Sequence, residues 1–220
     1  MVPLRWDLNF YSLIIDWNLM LSAVLDTETT GLSDPEIVEF AMVVVNTELE
    51  VIATYSSLIK PPKPIEPGAA NVHGITDAHV QNAKTWAEYA DENPEMVEHL
   101  KTAVLSGHNI RSFDIKRVMS KHYPELVRSQ MLDTLEVARR VMPKGAEGSP
   151  PNHKLGTLAE HLGLPAREAH RALSDVETCV DFIQWLCESR KCGVEDLVAE
   201  AQAAQDKKVG SLRSAMRPRK

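Results

Sequence analysis

A chain of 220 residues, 44% of them hydrophobic, with a formal net charge of −7, has the length and apolar content for one substantial core. No apolar run approaches the ~20 residues that span a bilayer, so no membrane partner is expected. The acidic balance excludes broad gripping of nucleic acid by a basic surface, but not phosphate binding through a bound cation. Cys179, Cys187 and Cys192 fit no Cys-x-x-Cys spacing and read as reduced thiols, which suits a cytoplasmic setting.

Residues 1–20 carry Trp6, Phe10, Tyr11 and Trp17, interrupted by Arg5, Asp7 and Asp16. Without a basic n-region or a clean apolar run they are not a signal peptide. They read as an extension, either an amphipathic cap or a lead-in to a start at Met20. The main domain is assigned to residues 21–190. It opens with a strand, Ser22–Glu28, whose apolar Ala23-Val24-Leu25 ends in Asp26-Thr27-Glu28. Strand side chains alternate, so Asp26 and Glu28 share a face. Two like charges at the end of a buried strand are costly unless a cation joins them, and Mg²⁺ or Mn²⁺ suits such hard oxygen ligands.

Glu36–Asn46 and Glu50–Lys60 form an antiparallel hairpin across a short link. Pro61, Pro62, Pro64 and Pro67 predict a loop, after which Thr76 caps a short helix. Trp86 to about Lys101 is helical with a break at Pro94. Ala103–Gly107 is a short strand, and Ser112 caps a helix through Phe113 to Met119. Met131–Asp133 is a brief strand leading into a helix, Thr134–Met142. Lys144–Asn152 is a loop, and Lys154–Leu162 is a helix closed by Gly163. Glu177–Glu188 and Val194–Ala204 are helical. Residues 191–220 are read as a terminal helix and a basic tail. Lys207, Lys208, Arg213, Arg217, Arg219 and Lys220 show no apolar period, so the tail is expected to lack regular structure. This order gives an α/β fold: a ribonuclease-H-like mixed sheet of about five strands, the first three antiparallel, flanked by helices.

Two further stretches carry chemistry. Asp114 falls in the first turn of its predicted helix, where the helix N-terminus favours a negative charge. His170 and Asp175 are five residues apart, about 140° around a helix, so they do not share a helical face. Ser174-x-x-Glu177 has the form of a capping box. It predicts a helix starting at Asp175, with His170 on the loop before it.

Taken in order, Asp26-Thr27-Glu28, His108-Asn109 through Phe113-Asp114, and His170 through Asp175 resemble the three motifs of the DEDDh, or DnaQ-like, 3′→5′ exonuclease family. The proofreading epsilon subunit of bacterial replicative polymerase typifies that family. The resemblance covers about Ala23 to Leu186, with linking phrases at Val72-His73-Gly74-Ile75-Thr76, Asp133-Thr134-Leu135, His153-Lys154-Leu155 and Ala169-His170-Arg171-Ala172-Leu173. Ile110-Arg111-Ser112 departs from the small residue that often follows His-Asn. The resemblance implies that Asp26, Glu28, Asp114 and Asp175 hold two divalent cations, Mg²⁺ or Mn²⁺, with Asp26 bridging them. His170 is implied as general base, and an unperturbed imidazole titrates near 6.5, which suits that work at neutral pH. Thr29, Leu32 and His73 are implied to contact the terminal nucleotide, with Asn109 supporting the site. The expected reaction releases nucleoside 5′-monophosphates from single-stranded 3′ ends. The phrase Asp26-Thr27-Glu28-Thr29-Thr30 favours DNA over RNA. The alternatives are an RNA or oligoribonucleotide exonuclease of the same family, or a binding subunit that docks on a polymerase or repair partner.

Overall fold

The structure, a computed structural model, describes residues 20–215, so the readings of residues 1–19 and 216–220 lie outside it. Five strands form one mixed sheet: β1 (Ser22–Thr29), β2 (Ile37–Val45), β3 (Val51–Leu58), β4 (Val104–Gly107) and β5 (Met131–Asp133), in the order β3-β2-β1-β4-β5. β1–β2 and β2–β3 pair antiparallel, whereas β1–β4 and β4–β5 pair parallel. The mixed sheet with its first three strands antiparallel is as expected from sequence. The helices are α1 (Pro67–His73), α2 (Asp77–Val80), α3 (Trp86–Glu92), α4 (Pro94–Thr102), a π-wound helix at Arg111–Val118, α5 (Thr134–Val141), α6 (Leu155–Leu162), α7 (Ala172–Arg190) and α8 (Val194–Ala215).

Alternation along the strands divides the core into two layers. Ala23, Leu25, Phe40, Met42 and Val44 meet Trp86, Tyr89, Met96, Leu100 and Ile115 on one face. Val24, Val43, Val45 and Leu132 meet Val176, Phe182, Ile183, Leu186, Leu197 and Val198 on the other. All nine residues of β2 are buried because helices cover both faces, which is why its sequence is nearly all apolar instead of alternating. β3 lies at the sheet edge, and there Val51 and Ile52 are exposed.

Four local readings are corrected. Residues 67–73 are helical, because Pro67 sits in the first turn, where its missing N–H costs nothing. The helix bearing Asp114 starts at Arg111 without a Ser112 cap and is π-wound, with Ile115 N–H donating to the Ile110 carbonyl at 2.9 Å. α7 starts at Ala172, three residues before Asp175, so Ser174-x-x-Glu177 is no capping box. Instead, the Ser174 carbonyl accepts from Thr178 Oγ1 at 2.7 Å. α8 continues through the basic stretch to Ala215, where no regular structure was expected. Helix propagation from a packed first half needs only good helix formers, not an apolar period.

Candidate active site

The site forms where β1 outruns its parallel neighbour. β4 pairs only with Ser22–Val24. It ends at Gly107, where a Cβ would lie 2.7 Å from the Leu25 carbonyl oxygen. The chain then turns at Asn109, in the left-handed region at φ 67°. The Asn109 carbonyl accepts from the Ser112 and Phe113 amides at 3.2 and 3.1 Å. This turn returns Asp114 to the open edge of β1. The Thr27 amide and hydroxyl both donate to Asp114 Oδ1, at 3.1 and 2.7 Å, so a side chain satisfies a strand amide that β4 does not reach.

Asp133, buried at the end of β5, holds this turn. Its carboxylate accepts from the Asn109 and Arg111 amides, each at 3.1 Å. It also accepts from the Leu135 and Glu136 amides at the start of α5. One carboxylate thus fixes two element ends. His108 hydrogen-bonds through Nδ1 to Thr134 Oγ1 at 3.0 Å and through Nε2 to the His153 carbonyl at 2.8 Å. Burial lowers its pKa.

The third motif is anchored from β2. Glu39 lies directly across from Glu28 in the β1–β2 register. Its buried carboxylate accepts from the Ala172 amide at 2.9 Å and pairs with Arg171 Nη2 at 2.8 Å. A residue distant in sequence therefore caps α7. Immediately before it, His170 is exposed and in the left-handed region at φ 62°. The His170 amide donates to Asp175 Oδ2 at 3.1 Å. Beneath, Cys179 of α7 is buried with Sγ 3.5 Å from Thr134 Oγ1, and burial pushes its thiol up to about 12.

The carboxylates behave as a cluster. Burial, then Asp114, Glu28 and Asp175, raise Asp26 well above the usual carboxylate range. Glu28 is pushed up to about 8 by burial, then by Asp175, Glu39 and Asp114, with Arg171 opposing. Asp114 rises to about 7, chiefly through burial and against its Thr27 hydrogen bonds. Asp175 is also raised, by burial first, and the His170 amide opposes the shift. Glu28, His170 and Asp175 each offer an atom within 4.8 Å of the others'. Hard oxygen donors, partly buried and mutually repelling, fit a divalent cation such as Mg²⁺ or Mn²⁺.

Two cavities flank the cluster. The smaller, about 430 Å³, is lined by Glu28, Thr29, Leu32, Val72, His73 and Phe113. Here His73 Nδ1 accepts from the Ile75 amide at 3.0 Å, which leaves Nε2–H to donate to the Thr29 carbonyl at 3.1 Å. With both nitrogens engaged inside the protein, His73 offers the cavity only its ring. The larger, about 970 Å³, includes Asp26, Asn109, His170 and Asp175 in its wall. Asp114 lines neither and meets the cluster through Thr27.

The sequence-predicted residues thus fall into a central carboxylate cluster with one cavity on each side. Glu39, Thr27, Asp133 and Phe113 were missed as site residues. Glu39 did carry a signal, because it is the one charge inside the apolar run Ile37–Val45. The exonuclease family model, of ribonuclease T type, matches residues 23–182. The chain belongs to the exonuclease family. Its relatives include the PolC-type DNA polymerase III of Latilactobacillus sakei, 30% identical over 89% of this chain but only 13% of that protein's length. They also include DNA polymerase III subunit epsilon of Treponema pallidum, 28% identical over 77% of this chain and 80% of that subunit. The structure of Exonuclease X in complex with 5′ overhanging duplex DNA is 28% identical, with a TM-score of 0.60 over 80% of this chain and 99% of that one. The structure of E. coli Exonuclease I with a 5cy-dT13 oligonucleotide, at 19% identity and TM-score 0.67, covers 88% of this chain and 45% of that one; it shares the fold. This exonuclease-family chain therefore spans nearly all of the Exonuclease X structure, four fifths of the epsilon subunit and about an eighth of the PolC polymerases.

Proposed function

We propose that the chain is a metal-dependent 3′→5′ exonuclease that removes nucleoside 5′-monophosphates from single-stranded 3′ ends of DNA. The observation that carries this reading is the convergence of Glu28, His170 and Asp175, with atoms within 4.8 Å of one another, beside the raised carboxylate of Asp26. Asp26, Glu28, Asp114 and Asp175 would hold two divalent cations, which when bound activate water and stabilise the leaving 3′ oxygen. The protein's own groups do the rest. Thr27 keeps Asp114 at the cluster. Glu39 and Arg171 pin the start of α7, so that Asp175 and His170 face β1. His170, exposed at the cavity wall, takes a proton from the attacking water as general base. Thr29, Leu32, Phe113 and the ring of His73 cradle the terminal sugar and base.

DNA as substrate is supported by the DNA polymerase III relatives and by the DNA complexes of the two exonucleases. The same relatives support work within or beside a polymerase assembly. The test is to incubate the purified chain with 3′-labelled single-stranded DNA and RNA, with Mg²⁺ or with EDTA. Mg²⁺-dependent release of mononucleotides from DNA is expected. Full activity in excess chelator would overturn the metal assignment, and a faster reaction on RNA would overturn the DNA preference.

A further inference from the structure

We infer that the larger cavity is the track for the strand that remains after cleavage, with Arg139, Lys144 and Lys154 contacting its phosphates; this rests on the exonuclease reading above. The two cavities meet at the carboxylates but differ in chemistry. The smaller, at about 430 Å³, has apolar walls in Leu32, Val72 and Phe113 and contains no lysine or arginine. That suits one sugar and base. The larger, at about 970 Å³, has more than twice the volume and carries all three of these cations in its wall.

The placement of these cations points to a ligand. Lys84, Lys121, Arg167 and Arg190 are paired with acids, whereas about half of the described lysines and arginines are not. What sets Arg139, Lys144 and Lys154 apart is that they share one cavity beside the carboxylates. Among the described residues, Arg139, Lys144 and Lys154 form no ion pair. All three are exposed and line the same cavity as Asp26 and Asp175. Three cations against the two carboxylates Asp26 and Asp175 leave that cavity's wall positive on balance in an otherwise acidic protein. A repeating polyanion that begins at Asp26 and Asp175 and runs past the start of α6 meets them in turn. A free mononucleotide, with its single phosphate at the carboxylates, has no use for them.

The test compares wild type with R139Q/K144Q/K154Q and with a control, K60Q/K191Q/K207Q, which removes the same charge away from the cavity. Fluorescence anisotropy in EDTA measures binding of a single-stranded oligodeoxynucleotide across salt concentrations. Hydrolysis of the p-nitrophenyl ester of thymidine 5′-monophosphate, which has no upstream strand, reports the chemistry. The track variant should bind the oligonucleotide about tenfold or more weakly, with a salt slope lower by about 2, at ~0.7 for each lost contact to a single strand. Its ester turnover should stay within about twofold of wild type. A salt slope equal to wild type, or one lowered equally by the control, would overturn the track. So would equal losses on ester and oligonucleotide, which would make these residues structural. If wild type cleaves neither substrate, the exonuclease reading fails, while the binding slopes still test the track.

Discussion

Asp114 and Asp175 belong to one cluster but are held in opposite ways. Asp114 is 3% exposed, and both the amide and the hydroxyl of Thr27 fix it. Asp175 is partly exposed at the start of α7, and the structure gives its carboxylate one partner, the amide of the left-handed His170. One wall of the site is thus tied to the end of the central strand β1, and the other is a helix start coupled to a loop. A group that only carries charge gains from being immobile, because it then costs no reorganisation when the reaction begins. On the mechanism proposed above, His170 transfers a proton and so needs to reach its partner; it sits next to the looser acid, Asp175, and not the fixed one.

The largest expected effect comes from the centre both walls share. Asp26→Asn should cut turnover by roughly 10⁴-fold, the scale of losing one member of a catalytic unit. Yet the melting temperature of the metal-free protein should hold or rise, because a repelling charge is gone. The sign of the pH dependence follows. Glu28 and Asp114 titrate at about 8 and 7 in the fold, but near 4 when unfolded. The native state therefore holds extra protons, and the stability they contribute is full below about pH 4 and is lost as the pH rises through 7 to 8. Calorimetry should show the metal-free melting temperature falling over that window in wild type, less so in Asp26→Asn, and Mg²⁺ should restore more at pH 8 than at pH 5. A steep fall in the metal-free melting temperature of Asp26→Asn would make Asp26 a structural residue.

His170→Ala probes the loose wall and should slow turnover by roughly 10²–10⁴-fold with metal affinity retained. His170→Gln keeps size and hydrogen bonding but accepts no proton at neutral pH. A Gln variant with most of the wild-type rate would show that the histidine only positions water. Loss of metal affinity in either variant, measured by titration calorimetry, would make His170 a ligand. Thr27→Val probes the fixed wall. It deletes one hydrogen bond to a buried carboxylate and leaves the amide, so kcat should fall about tenfold with KM nearly unchanged. If kcat is unchanged, the amide alone fixes Asp114. The smallest effect is expected at Arg171→Gln. Its side chain is 43% exposed but neutralises a 6% exposed Glu39, so the cost should be about 1–2 kcal/mol. Arg171→Gln combined with Glu39→Gln should recover part of that loss, and a double variant worse than either single would argue against the pair.

Much of this was legible because it follows from local pattern. Apolar runs and the turn residues between them predict the three antiparallel strands, and Asp26 and Glu28 declare themselves as charges that end an apolar strand. What escaped depends on partners distant in the chain. The start of α7 is set by Glu39 from β2, so a local Ser174-x-x-Glu177 pattern was misleading. The π-wound turn before Asp114 depends on Asp133, which no window around Ser112 contains. Thr27 looked like a spacer between two acids because its partner lies in another element. Pro67 was misread for a different reason: proline ends a helix in the middle but fits well at its beginning.

Cys179 gives the buried face of α7 a chemical clock. Its thiol is shielded and titrates at about 12, whereas Cys187 and Cys192 are only half-buried. An alkylating reagent should consume the latter pair first and reach Cys179 only when α7 lifts from the sheet. The rate of that slow modification, followed by mass spectrometry, reads out how often the floor beneath the carboxylates opens. Added Mg²⁺ should lengthen the interval, since a cation held between β1 and α7 clasps the two together.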